Sequence, residues 1–216
     1  MPKPETIRNF LLAAASCFLL AGPAVAGSYD DALNAARLGD TKALVGLLQK
    51  GLEVDTVDAQ GNTLLILAAR EGNADTVKAL LGFRPKLDYR NPAGDSALML
   101  AVLRGHERAA EVLIEGGAAV NHEDWTALHY AAFEGRLALL ERLIAAGADL
   151  GALAPNKSDA LMLAARNGHI DVVRRLLKAG VALDRTNDAG FTAESWALAN
   201  GNTDIAGLIS EARKRR

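Results

Sequence analysis

The chain of 216 residues has one cysteine, and that cysteine, Cys17, falls within an unusual N-terminal stretch. Without thiols, the rest of the chain has no disulfide and no zinc-thiolate site to hold it together, so packing must do so. Aromatic residues make up 5% of the sequence while half of it is hydrophobic. Alanine and leucine must therefore fill the core, and both favour helix. β-branched runs of strand length are nearly absent, so an all-α fold is expected. A surplus of positive charge is also missing, with 24 basic against 26 acidic residues. A nucleic-acid surface would be markedly basic, and no nucleic-acid partner is expected. Apolar runs long enough to span a bilayer, ~20 residues, are absent as well.

The first 26 residues stand apart. MPKPETIRN carries Lys3 and Arg8, FLLAAASCFLLAG follows, and Ala24-Val25-Ala26 supplies small residues at an A-x-A site. A basic start, a short apolar core and a small-residue cut describe a cleaved secretory signal peptide over residues 1–26. Cys17 is not read as a lipidation site, because Ala14 stands where a larger aliphatic is usual and the apolar run continues past it. Cleavage removes Lys3, Arg8 and Glu5, leaving 22 basic and 25 acidic residues and a net charge of −3. A periplasmic location is expected, the alternatives being secretion or a retained N-terminal anchor. No other membrane span is expected, and the mature chain is expected to be a monomer.

What is present is a period. A small-residue pair recurs at 35–36, 68–69, 101–102, 131–132, 164–165 and 197–198, at spacings of 33, 33, 30, 33 and 33. Gly39, Gly72, Gly105, Gly135, Gly168 and Gly201 follow three residues after each pair. An aliphatic pair comes next, from Leu47-Leu48 to Leu208-Ile209, and then a second glycine at Gly51, Gly117, Gly147 and Gly180. Each feature has a physical reason. Small pairs let one helix lie close to its neighbour. Glycine ends a helix where the left-handed conformation is needed. The aliphatic pair is the buried stripe of a second, antiparallel helix, and the polar remainder forms a projecting turn.

This pattern resembles the ankyrin repeat, whose signature includes T-P-L-H-x-A on a period near 33. Thr126-Ala127-Leu128-His129-Tyr130-Ala131 carries the resemblance most fully. Asn62 to Ala68, Gly147-Ala148-Asp149 and Gly168 to Val173 support it. It covers roughly residues 28–213 and implies a solenoid of about six helix–turn–helix repeats with projecting β-turns or hairpin loops. The repeat domain spans residues 27–216, with repeats at approximately 28–57, 58–90, 91–122, 123–154, 155–186 and 187–216, the first and last being caps.

Three departures are evident. Proline is missing from every T-P-L-H position, so the helix starts are expected to be less rigid. The turn before repeat four, residues 121–126, is three residues short. Arg84-Pro85 replaces the second glycine of repeat two, which predicts an irregular helix end.

His129 raises the question of chemistry. Its register equivalents are Ile66, Met99, Met162 and Ser195, so the position reads as core, and the resemblance makes it a frame element. His106 and His169 follow interhelical glycines and are also frame residues, and no two histidines stand one turn apart. No phosphate loop or nucleophile elbow occurs. No catalytic residue, metal site or cofactor is expected. Asp30, Asp31 and Glu194 read as solubilising charges at the array ends.

The resemblance implies that partners bind in a concave groove, read at the two residues before each interhelical glycine and at the turns. The candidate contact residues are Arg70, Glu71, Leu103, Arg104, Trp125, Phe133, Glu134, Arg166, Asn167 and Phe191, with Gln60, Asn62, Asp95 and Ser158 as further turn positions. Arg70, Arg104 and Arg166 are expected to form a stripe, and Phe133 to be exposed. Trp125 either faces the groove or folds back over the shortened turn. The function expected is that of an exported, non-enzymatic binding module with an unidentified protein partner. One form of it is an envelope inhibitor of immunity type or a helper of a periplasmic redox enzyme. The competing reading is an enzyme whose site is assembled across repeats from Glu71, Arg104, Glu134 and Arg166.

Overall fold

The computed structural model describes residues 23–215, with side chains from residue 27 onward. Residues 1–22 of the expected leader lie outside this range, and the A-x-A site falls in the first turn of α1. The described helices come in pairs. These are α1 (Pro23–Leu38) with α2 (Thr41–Gln49), α3 (Leu64–Arg70) with α4 (Ala74–Leu81), and α5 (Ala97–Arg104) with α6 (Glu107–Glu115). They continue as α7 (Ala127–Phe133) with α8 (Leu137–Ala145), α9 (Ala160–Arg166) with α10 (Ile170–Lys178), and α11 (Ala193–Ala199) with α12 (Thr203–Lys214). Among the described residues the fingers between pairs are turns, with a single isolated bridge, Val57 to Thr63.

From α3 onward the odd-numbered, inner helices start without proline, yet each start is held by a side-chain cap. Thr63, Ser96, Thr126, Asp159 and Thr192 accept the backbone N–H three residues on, at 3.2, 3.3, 3.4, 2.9 and 3.1 Å. Such a cap contributes ~1 kcal/mol, so the looseness expected of these starts is offset locally.

Inner helices within the array are buried nearly all round, as at Leu64 to Ala69, Ala97 to Val102 and Ala160 to Ala165. Each of these lies between two like neighbours and its own outer helix, whereas α1 and α11 meet a like neighbour on one side only among the described residues. Outer helices bury one stripe only, such as Leu139, Leu140 and Leu143 in α8. Alanine pairs let inner helices meet over more of their length than outer ones do, which makes the inner side of the stack the concave one.

Polar ladders tie repeat to repeat. Asp55, Asp88 and Asn121 occupy one register and accept the N–H of Lys86, Ala119 and Asp149 at 2.9, 2.8 and 2.7 Å. A second ladder runs from the residue after Gly72, Gly105, Gly168 and Gly201 to the end of the preceding inner helix. Asn73 donates to the carbonyls of Ala36 and Arg37, and Asn202 to those of Ala165 and Arg166. His106 and His169 meet the carbonyls of Arg70 and Phe133 at 3.0 and 2.8 Å. The expected frame role of both histidines is observed.

At the C-terminal end Glu194 is more than a solubilising charge. It pairs with Arg213, which also holds Asp184 at 2.8 Å, and these contacts fasten α12 to the last finger and to α11. Leu198 stays 54% exposed, because its equivalents are covered by a following repeat.

Arg84 has φ +55°, in the register where Gly51, Gly117, Gly147 and Gly180 have φ from +82° to +98°. The irregularity expected there is a non-glycine residue held in the left-handed region, a conformation that costs ~1–2 kcal/mol. Arg84→Gly is expected to raise stability by ~1 kcal/mol, read as a higher urea midpoint at unchanged slope. A lower midpoint would show that the Arg84 side chain makes a contribution larger than its backbone strain.

Candidate functional site

His129 lies in the core of repeat four and is fully buried. The Thr126 backbone N–H donates to its Nδ1 at 3.1 Å, so Nδ1 is an acceptor. Nε2 therefore carries the proton and donates to the Ala152 carbonyl at 3.1 Å. All ring capacity is used in bracing the cap of α7 and the following finger. Burial holds its pKa below the ordinary histidine value, and the Ala152 carbonyl and the Asp149 charge only partly oppose this. The native state thus stays neutral where the unfolded chain protonates. The associated stability is complete above pH ~6.5 and is lost as pH falls below it, by at most ~1.4 kcal/mol per unit. His129→Met, the residue found in register at Met99 and Met162, is expected to flatten the decline in urea midpoint between pH 7.5 and 5.5. An unchanged decline would place the titration elsewhere.

Among the described residues no group of three metal-ligating side chains converges. His122 Nε2 is a buried atom without a hydrogen-bond partner, in the shortened finger.

The concave edge gathers the sequence candidates in three ways. Arg104 and Arg166 are exposed, and no carboxylate among the described residues pairs with either. Arg70 is tied to its neighbour Glu71 at 2.9 Å, and Glu134 faces Arg136 at 3.9 Å. The carboxylates of the enzyme reading are thus held by separate arginines two repeats apart and do not come together. The arginine stripe is imperfect as well, since Arg104 sits one register position after Arg70 and Arg166. Leu103 and Phe133 are half-buried against the core, so Phe133 is less exposed than expected.

Asn167 has a framing role not foreseen, because its amide donates to the Phe133 carbonyl at 2.8 Å. Asn62 and Ser158 are buried rather than available. Their side chains bond across fingers to Asn91 at 2.8 Å and Asn187 at 3.4 Å, since neighbouring fingers pack side by side. Asp95, which is half-buried, accepts from the Tyr130 hydroxyl at 2.7 Å.

Trp125 neither projects fully nor closes over the turn. It stacks on Tyr130 with centroids 5.7 Å apart and planes 11° from parallel, and meets His129 edge-on. Phe191 stacks on Trp196 at 5.9 Å and 10°. These pairs hold identical registers in repeats four and six. The Arg166 guanidinium lies over the Trp196 ring, 4.9 Å from its centroid. Sequence reasoning missed Tyr130 and Trp196. The signal was available, because both stand five residues after another aromatic where other repeats place Leu67, Leu100 and Leu163.

Comparison with known proteins bears on this architecture. A family model for ankyrin repeats, in three copies, matches residues 32–124, 82–154 and 128–215. The chain belongs to the ankyrin repeat family. A transient receptor potential cation channel subfamily A member 1 homolog of Caenorhabditis elegans is 34% identical over 173 residues, which cover 78% of the chain and 14% of that protein. Other curated relatives are matched over as little as 6% and up to 36% of their length. The human ASB11 ankyrin repeat domain superposes with a TM-score of 0.77 at 24% identity, over 84% of this chain and 82% of that one. It supports the ankyrin fold. A structure of a predatory endopeptidase from Bdellovibrio bacteriovorus in complex with an immunity protein contains a chain that is 31% identical, with a TM-score of 0.75. The match covers 84% of the ankyrin chain and 97% of its counterpart.

Proposed function

We propose that this ankyrin protein is an exported, non-enzymatic binding module of the cell envelope that grips a protein partner in its concave groove, as an inhibitor of immunity type. One observation carries the groove assignment. Along the inner edge, unpaired arginines and stacked aromatics replace one another from repeat to repeat on a constant frame. Trp, Tyr and Arg are the residues most enriched in binding hot spots. The leader sequence supports export. The inhibitor role draws on the endopeptidase–immunity complex. Its matched chain is covered over 97% of its length, which leaves no room for a peptidase domain, so we read that chain as the immunity protein. An array without chemistry of its own suits the task of covering another protein's active surface.

The test is affinity capture from a native envelope extract. The baits are the chain from Gly27 and the same chain with Arg104→Glu and Arg166→Glu, two exposed substitutions expected to leave the fold intact. The expected result is one stoichiometric partner on the wild type alone, whose hydrolytic activity falls as the module is added back. A partner held equally by both baits contradicts the groove, and a partner with undiminished activity contradicts the inhibitor role.

A further inference from the structure

Resting on the groove reading, we propose that Arg166 is a built receptor for one carboxylate of the partner. The partner segment is extended and carries an Asp or Glu about five residues from an apolar or aromatic anchor. Two groups meet the Trp196 ring, the Arg166 guanidinium with its central carbon 4.9 Å from the centroid and Phe191 stacked on it at 5.9 Å. A guanidinium held over an indole keeps its charge placed by the ring, and its planar fork can give two N–H groups side by side to a carboxylate. Arg166 is also fixed from behind, because Asn202 donates to its backbone carbonyl at 2.8 Å. The carboxylates nearest in the chain are occupied elsewhere, Asp171 by Arg174 at 3.2 Å and Asp159 by the N–H of Met162 at 2.9 Å. The stack is thus pre-organised and its charge is unanswered within the described chain.

The spacing follows from the second aromatic pair. Trp125 and Tyr130 repeat the register of Phe191 and Trp196 two repeats away. Packed helices lie about 8–10 Å apart, so two repeats span roughly 16–20 Å. An extended chain covers that in about five to six residues. A polyanion such as nucleic acid does not suit this surface, since Arg70 is already paired with Glu71.

Both tryptophans of the chain, Trp125 and Trp196, lie at this surface, and each reports on its own half. A random 12-residue peptide library is selected on the chain from Gly27, and selected peptides are titrated against Trp125→Phe and Trp196→Phe variants by fluorescence. Expected are peptides with an acidic residue about five positions from an aromatic or leucine, which perturb both tryptophans. Arg166→Gln and Arg166→Lys should each weaken them about 10- to 100-fold, the lysine because it keeps the charge and loses the planar fork. Peptides without acidic bias, or affinity kept by Arg166→Lys, overturn the carboxylate receptor and leave the groove standing. Selected peptides that perturb neither tryptophan overturn both.

Discussion

Gly72→Ala is expected to destabilise the array by ~3–5 kcal/mol, while Gly117→Ala costs only ~1–2 kcal/mol. Both glycines have left-handed backbones, with φ +78° and +89°, so that term is shared. The surroundings differ. A methyl on Gly72 would lie 2.5 Å from His106 Nδ1 and 2.8 Å from its Cγ, whereas one on Gly117 meets nothing within 4 Å. The imidazole cannot simply withdraw, because its Nε2 is bonded to the Arg70 carbonyl at 3.0 Å. Overpacking of this kind adds ~1–3 kcal/mol and loss of the hydrogen bond adds ~1 kcal/mol. Gly105→Ala should fall between the two, since the neighbour there is the guanidinium of Arg136, the far end of a flexible side chain.

A double-mutant cycle checks the cause. If the clash with His106 dominates, Gly72→Ala and His106→Ala together should be less damaging than the sum of the single changes by ~1–3 kcal/mol. Additive effects in urea unfolding would show that backbone conformation alone fixes glycine there. The same contrast explains the sequence. Arg84 takes the place of the second glycine in repeat two, at a register where Gly51, Gly117, Gly147 and Gly180 all have open space beside them. The interhelical glycine has been replaced in no repeat.

Leu113→Ala is expected to cost ~2–5 kcal/mol. Leu113 is fully buried in α6 at the middle of the array, where repeats on both sides limit how far the cavity can collapse. Leu208→Ala, in half-buried surroundings on the last helix, should cost clearly less. In a linear array each repeat answers only to its neighbours, and the end one frays first. Equal shifts in urea midpoint for the two variants would contradict that additive, neighbour-coupled picture.

The architecture was legible because its signals are local and repeated. Glycine, the alanine pair and the aliphatic pair each recur for a packing reason, and the period multiplies weak evidence. Even the frame role of His129 was readable from the apolar residues in its register. Contacts across repeats were less legible. Asn62, Ser158 and Asn167 look like free polar positions in the sequence, yet their amides and hydroxyl bond to the adjacent unit, some 30 residues away. The sequence leaves Trp125 with two places for the same reason, since its position depends on Tyr130. Trp196 went unread because its partner Arg166 lies in the preceding repeat. Periodicity reveals which residues share a position; it does not reveal which neighbour each one reaches.

Photocrosslinking in the native cell decides whether the concave edge is the working surface. A photoreactive residue replaces Arg104 on the inner edge in one strain and Glu141 on the outer helix α8 in another, both exposed positions. The groove reading predicts one discrete crosslinked partner from position 104 and none from position 141. A discrete product from position 141 with nothing at 104 would move the binding surface to the convex face and contradict the functional assignment.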